Sequence, residues 1–210
     1  MEHRGPADGA ARRRVRGLRR SAGARRATAM GGAAVAAMLL VGCGGGGTAA
    51  EAVPEGYERL KTPHITVDFP TEWEVQSEAE RPEAADGAAV LEQGGRQLAK
   101  ISVVLTYDDT RDAEKAAASA LGDHELRAQI KGFEDFTVGG ADDGQRIDYA
   151  FKSDGTGSTP PRGELVNGVD VVGTDSRGET FLVRINAAAS ALSADELEKV
   201  AESVQVVESD

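Results

Sequence analysis

Several segments of the sequence place large apolar residues at every second position, and this spacing restricts the fold more than any other feature. The residues between the apolar ones are more often polar. A period of two residues is typical of β-strands. Because one side is polar, we predict an antiparallel sheet that is covered on one face. The predicted strands are residues 65–69, 101–105, 147–151 and 181–185, with 165–172 as another strand and 88–92 and 136–138 from weaker patterns.

The clearest helix lies near the C-terminus. Ser193 and Glu196 have the Ser-x-x-Glu spacing of a capping box, in which each side chain bonds to the backbone of the other residue. Apolar residues then follow at the spacing of one helix face. They are Leu197, Val200, Ala201 and Val204.

A second helix is predicted to begin near Asp112. A carboxylate at this position caps the free N–H groups of the first turn and opposes the helix dipole. Apolar residues, most of them alanine, recur from residue 113 to residue 121. Either Gly122 ends this helix, or the pattern resumes through Leu126 and Ile130.

Strands that are interrupted by one helix and closed by another indicate an α+β fold. We therefore predict an antiparallel sheet with helices packed on its faces, in one domain that spans residues 57–210. Residues 173–178 are predicted to form a hairpin turn between two strands. Residues 153–161 are rich in Gly, Ser, Thr and Pro and predict a polar, mobile loop.

The first 42 residues differ in charge from the rest of the chain. They contain nine arginines and two acids, a net charge of +7, whereas the whole chain carries −11, so residues 43–210 carry −18. An apolar run at residues 33–41 follows the arginines and is too short to cross a bilayer as a helix. This order is typical of a secretory signal peptide, which we assign to residues 1–42.

The apolar run ends in Leu40-Val41-Gly42-Cys43, which resembles the lipobox of bacterial lipoproteins. The resemblance implies cleavage before Cys43, lipid on its thiol, and a protein anchored at the extracytoplasmic face of the cell membrane. Two acyl chains suffice for stable attachment. Residues 43–56, which begin with four glycines after the cysteine, would be a flexible linker. The alternatives are an ordinary signal cut elsewhere, or a buried free cysteine. The export route (general secretory or twin-arginine) and the true start codon stay open.

The beginning of the predicted domain has a second resemblance. The run Ile65-Thr66-Val67-Asp68-Phe69-Pro70, followed by Thr71-Glu72-Trp73, looks like the opening of PsbP-like domains and of LpqN-type bacterial lipoproteins. The resemblance implies an α/β/α sandwich and a non-catalytic accessory or binding module. It provides no catalytic residues that could be assigned here.

Residues that could support catalysis are few. Beyond residue 42 the chain has two histidines, and neither lies in a metal-ligand spacing. We predict His64 at a sheet edge or surface and His124 at the exposed end of a helix. The nucleophile motifs Gly-x-Ser-x-Gly and Ser-x-x-Lys are absent from the sequence, so we predict no enzyme, no catalytic residues and no cofactor.

Acidic runs are the remaining candidates for a site. Asp108-Asp109 with Asp112, Asp142-Asp143, and residues 154–158 could each gather oxygen atoms, but none has the spacing of a calcium-binding loop. We predict solvated carboxylates and no metal. The excess of acids also argues against nucleic acid as a partner, since phosphate contacts require clustered Lys and Arg.

The sequence thus predicts a membrane-anchored extracytoplasmic lipoprotein that acts as a binding or accessory module of the cell envelope. Its partners would be the membrane, through lipid on Cys43, and an envelope protein or an apolar ligand. The alternatives are a cell-envelope hydrolase whose site is assembled from distant residues, and a chaperone-like envelope factor.

Overall fold

A computed structural model describes residues 52–124 and 127–207. The predicted signal peptide, Cys43 and most of the predicted linker lie outside these residues. The helices of the described part are α1 (Ala113–His124) and α2 (Ala194–Glu202). The strands are β1 (Tyr57–Lys61), β2 (Ile65–Pro70), β3 (Glu74–Val75), β4 (Gly87–Gln93), β5 (Arg96–Val104), β6 (Gln129–Asp135), β7 (Asp143–Lys152), β8 (Leu165–Thr174), β9 (Thr180–Ala188) and β10 (Gln205–Val206).

Seven of these strands form one antiparallel sheet in the order β3-β4-β5-β9-β8-β7-β6. The prediction of strands within β4, β5, β7, β8 and β9 is confirmed, as is the hairpin turn that joins β8 to β9. The strand predicted at residues 136–138 is wrong. The N–H of Phe136 still bonds to the carbonyl of Gly144 at 2.9 Å, but the ladder with β7 ends at Asp135.

A smaller antiparallel sheet has the order β1-β2-β10 and lies beside α2. The capping box at the start of α2 is confirmed: the Ser193 hydroxyl accepts from the N–H of Glu196, and the Glu196 carboxylate accepts from the N–H of Ser193. Val204 is buried but follows the helix end, so the apolar stripe continues past the helix. The strands β1, β3, β6 and β10 were not predicted, because they are short or have few buried apolar residues.

The prediction of a helix that begins after Asp112 is also confirmed. Asp112 Oδ1 accepts a hydrogen bond from the N–H of Lys115 at 3.1 Å, as expected of a cap. Neither alternative for its end was right. The helix continues through Gly122 and ends at His124, and Ile130 belongs to a strand.

The large sheet is covered on both faces, as the predicted packing of helices on its faces requires, although the alternation of the strands alone had indicated one covered face. On one face, α2 and the small sheet enclose an apolar core with residues such as Val169, Val183 and Ile185. On the other face, the alanines of α1 pack on Ile147 and Val172. The α+β class with antiparallel sheets is confirmed. Neither helix of the described part has the length and hydrophobicity that spanning a bilayer requires.

Candidate functional site

The face of the large sheet under α1 is only partly covered by that helix. The helix lies over β7 and β8 and ends at His124. A cleft of about 680 Å³ opens on the same face, and Arg127, three residues beyond the helix end, is one of its lining residues. Sites for small molecules typically have 300–1,000 Å³, so the cleft is large enough for one.

Four neighbouring strands form the floor of the cleft. Because side chains alternate along a strand, the even-numbered residues of β5, β8 and β9 share a face with the odd-numbered residues of β7. This face combines aromatic and aliphatic surface with one amide and one amine. The floor residues are Lys100 from β5, Phe151 from β7, Val166 from β8 and Asn186 from β9; Leu98, at a bulge of β5, also borders the cleft but packs against the core on the other face.

The loop that joins β7 to β8 forms a wall of the cleft. The sequence predicted a mobile loop at this position, but hydrogen bonds tie the segment down. The buried Ser153 donates its hydroxyl to the carbonyl of Pro160 at 2.7 Å. The carbonyl of Ser158 accepts from the N–H of Gln97 at 2.7 Å, and that of Thr159 accepts from Arg96 at 2.9 Å. The wall is thereby fastened to the beginning of β5.

The cleft has a positive excess in a strongly acidic chain. Lys100, Arg127 and Lys152 line it together with one acid, Asp154. Lys100 is half-buried, and burial lowers the pKa of its ammonium group. Within residues 52–124 and 127–207, no carboxylate forms an ion pair with Lys100.

Beside the cleft, a buried polar network centres on Asp170, which has no exposed surface. Its carboxylate accepts from Arg184 Nη2 at 2.7 Å and Nε at 3.0 Å, and it lies 2.9 Å from His124 Nε2. The Tyr149 hydroxyl is 3.1 Å from Asp170 Oδ1 and 2.8 Å from Asn186 Oδ1, and it has one hydrogen for these two acceptors. Asn186 therefore belongs to both the network and the cleft.

The prediction that His124 lies at an exposed helix end is wrong. The residue is the last of α1, but only 8% of its surface is exposed, because its ring stacks on Tyr149 with centroids 3.8 Å apart. A carboxylate only accepts hydrogen bonds, so His124 Nε2 carries a hydrogen towards Asp170. No serine or threonine hydroxyl of the described residues bonds to this histidine. The arrangement orients an imidazole without placing a nucleophile beside it.

The charges of the network follow from burial and pairing. Burial opposes the charged form of Arg184, but the hydrogen bonds and the charge of Asp170 outweigh it and raise the pKa of the guanidinium. Burial, together with the negative charge of Asp170, raises the pKa of Tyr149. At the edge of the network, burial and the charge of Asp123 raise the pKa of Tyr107 to about 12. Both tyrosines are therefore neutral hydrogen-bonding groups.

The other candidates from the sequence lie apart from the cleft, with one exception. His64 is half-buried in the turn before β2, where its carbonyl accepts from the N–H of Val207. Asp108 and Asp154 each accept from the N–H two residues further on, as in Asx turns, and Asp154 also lines the cleft. Within the described residues, no group of three or more His, Cys, Asp or Glu side chains could hold a metal ion.

Sequence reasoning missed Lys100, Tyr149, Asp170, Arg184 and Asn186. One signal could have found part of the network. The predicted hairpin turn fixes the pairing of β8 with β9, and counting back from it places Asp170 opposite Arg184 and Gly168 opposite Asn186. Opposite charges that face each other across two strands are expected to pair.

Known proteins resemble this chain in fold more than in sequence. No protein-family model matches it, and no curated protein matches it at a significant level. LpqN of Mycobacterium tuberculosis, involved in cell envelope biogenesis, is 19% identical with a TM-score of 0.49, over 68% of this chain and 83% of LpqN. PsbP of the cyanobacterium Synechocystis is 16% identical with a TM-score of 0.47, over 80% of this chain and 98% of PsbP.

The yeast Ran-binding protein Mog1p (Saccharomyces cerevisiae) is 16% identical with a TM-score of 0.42, over 69% of this chain and 90% of Mog1p. The two kinds of protein that the opening of the domain resembles are thus among the similar structures. At these TM-scores the similarities assign no activity, ligand or partner to this chain. The α+β class rests on the observed strands and helices themselves.

Proposed function

We propose that this chain is a lipid-anchored extracytoplasmic accessory protein of the cell envelope, and that it binds a small, partly apolar ligand without catalysis. The observation that carries the proposal is the cleft of about 680 Å³ beside α1. Its floor offers Phe151 and Val166 to a ligand, next to the polar groups of Lys100 and Asn186. Apolar walls with a few placed polar groups are the usual composition of a small-molecule site.

The anchor is proposed from the sequence alone, because Cys43 lies outside the described residues. Lipid on Cys43 would hold the domain at the membrane through up to 14 residues before β1, which begins at Tyr57. A glycine-rich chain of that length has a root-mean-square span of about 20 Å.

The intact mass of the membrane-extracted protein tests the anchor and should show a diacylated N-terminal cysteine. Cys43→Ala should abolish this processing, so that no cleaved, lipidated form of the variant is found in the membrane fraction. An unmodified thiol in the mature product would refute the anchor.

The absence of catalysis is supported by the geometry of His124. Its Nε2 is already hydrogen-bonded to Asp170. The neighbouring groups are Arg184 and Tyr149, and the raised pKa of Tyr149 keeps its hydroxyl protonated. A general base needs a proton to abstract within hydrogen-bond reach. The cleft therefore supports binding better than hydrolysis.

A cleft-filling variant tests the ligand site. The full chain, extracted from membranes and placed in nanodiscs, is titrated with octyl glucoside below its micelle concentration, and the signal of empty nanodiscs is subtracted. We expect saturable binding that Phe151→Trp weakens, because the larger indole takes up part of the floor of the cleft. Leu165→Trp is the matched control, because Leu165 is 45% exposed and its side chain lies on the opposite face of β8 from Val166. Equal binding by the two variants, or no binding by the parent chain, would refute the ligand site.

A second candidate partner is another protein, and the edge strand β6 favours it. This strand borders the large sheet and exposes Phe133 (44%) and Ile130 (36%). An open strand edge can pair with an extended segment of a partner. Crosslinking from a photoreactive residue at position 133 in intact cells should then capture one envelope protein, and capture of none, or of many proteins equally, would argue against it.

A further inference from the structure

The charge of the cleft is opposite to that of the chain around it. Residues 43–210 contain 15 Lys and Arg against 33 Asp and Glu. Among the 14 residues that line the cleft, three are cations and one is an acid. An acidic protein repels anions over most of its surface, so a local excess of cations in a concave site marks where an anion can be held.

Lys100 differs from Arg146 and Arg184, two other buried or partly buried cations of the large sheet, in having no counter-charge. Arg146 is paired with Asp148 and Glu198. Arg184 is paired with Asp170 and more weakly with Asp123. Lys100 projects from the same face as Arg184, and no carboxylate of the described residues forms an ion pair with it.

A half-buried ammonium group without a partner is unfavourable, because burial removes water from the charge without replacing it. The lowered pKa of Lys100 has the same cause. The position is nonetheless well defined: Lys100 pairs in the ladder with Asn186, whose amide borders the cleft. An anion that entered the cleft would restore the missing counter-charge and could also reach this amide.

The surroundings of Lys100 restrict the rest of the ligand. Leu98 borders the cleft, and Phe151 and Val166 form its apolar floor. A small inorganic anion would leave this apolar surface in water. A ligand that has both an anionic group and a hydrocarbon part would use the ammonium group and the floor together.

We propose that the cleft binds a single-chain amphiphile by its anionic head group, a carboxylate or a phosphate, with Lys100 as the residue that receives the head. Lys152 and Arg127, both exposed at the cleft, add to the attraction without being buried. The inference rests on the proposed function and specifies its ligand class. Charge-assisted hydrogen bonds shorter than 3 Å are the contacts expected between the head group and Nζ.

Three octyl probes in the nanodisc assay test the head group: octyl phosphate, octanoate and the neutral octyl glucoside. We expect at least one anionic probe to bind at least about tenfold more tightly than octyl glucoside. Whichever anionic probe binds more tightly identifies the preferred head group as phosphate or carboxylate. Inorganic phosphate and acetate, which lack the chain, should bind far more weakly.

Substitutions then assign the preference to one side chain. Lys100→Met keeps the length of the side chain and should remove most of the preference for the anion, whereas Lys100→Arg should retain most of it. Lys61→Met is the matched control, because Lys61 is exposed on β1 of the small sheet and should leave the preference unchanged. Urea unfolding of each variant confirms that the fold is retained.

The outcomes separate the two proposals. If all three octyl probes bind equally, or if the preference survives Lys100→Met, the assignment of an anionic head group to Lys100 is wrong while the ligand site stands. If none of the probes binds, the proposed function falls, and this inference falls with it.

Discussion

The two faces of the seven-stranded sheet are built in different ways. The face under α2 and the small sheet is a continuous apolar core, with fully buried residues such as Phe69, Val183 and Ile185. The face under α1 has a smaller apolar cluster, the buried polar network around Asp170, and an open cleft. Burial of apolar surface is the main stabilising contribution to folding. A chain that concentrates it on one face can place polar groups and an open cleft on the other.

The largest expected effect tests the apolar face. Phe181→Ala removes a ring that is 1% exposed in the core shared by β9 and the small sheet, and should lower the free energy of unfolding by about 3–5 kcal/mol. Phe133→Ala is the matched control, because Phe133 is 44% exposed on β6 and should cost far less. Urea denaturation measures both, and similar losses would mean that the two faces do not differ as described.

The next effect tests the network on the other face. Asp170→Asn leaves Arg184 and His124 without their carboxylate, and should cost about 2–3 kcal/mol. This value lies below the 3–5 kcal/mol typical of a fully buried pair because the Arg184 side chain is 25% exposed. Asp123→Asn removes an exposed partner of the same arginine and should cost less than about 1 kcal/mol. A stable Asp170→Asn variant would show that the network contributes little to the fold.

Removal of the two helix caps should have a smaller effect, of similar size on both faces of the sheet. Ser193→Ala at the start of α2 and Asp112→Ala at the start of α1 each remove one acceptor for a backbone N–H. Each should lower the free energy of unfolding by about 1 kcal/mol. A much larger loss for Ser193→Ala would mean that the folding of the whole domain depends more on α2 than on α1.

The smallest effect concerns acid stability. The hydrogen bond from Arg146 lowers the pKa of Glu198 below its usual value of 4.5. A lowered pKa in the folded state adds stability above the unfolded pKa, and this contribution is lost as the pH falls through the folded value. Glu198→Gln should therefore lose less stability than the parent chain between about pH 5 and pH 3. The difference should stay below about 1 kcal/mol, since the Glu198 side chain is 42% exposed.

The sequence predicts the central strands well because their apolar positions alternate and face a core. The hairpin between β8 and β9 and both helix starts were also predictable, since turn and cap residues act locally. The edge strand β6 was not, because it contains Gly132 and has almost no buried side chain. The register shift between Ile130 and Gly132 also breaks its alternation.

The site was less predictable than the fold, for a physical reason. Asp170 and Arg184 occupy the positions at which an alternating strand normally meets water, so their charge suggested a solvent-exposed face. Asp170 is covered because α1 lies over β7 and β8 and brings His124 onto Tyr149 and against Asp170, and Arg184 is partly covered by its pairing with this carboxylate. The cleft depends on Arg127, on the β7–β8 loop and on four strands from different parts of the chain, and no local pattern contains such a combination.

The fastening of the β7–β8 loop to β5 has a consequence for the kinetics of recognition. The hydrogen bonds from Gln97 to Ser158 and from Arg96 to Thr159 set the shape of the wall in the protein without ligand. Little conformational entropy would then be lost during capture, because a preorganised receptor orders few groups on association. Binding of the proposed ligand should accordingly proceed in one kinetic step, without a slow closing phase. Ligands of high and low affinity should then differ in their dissociation rates more than in their association rates.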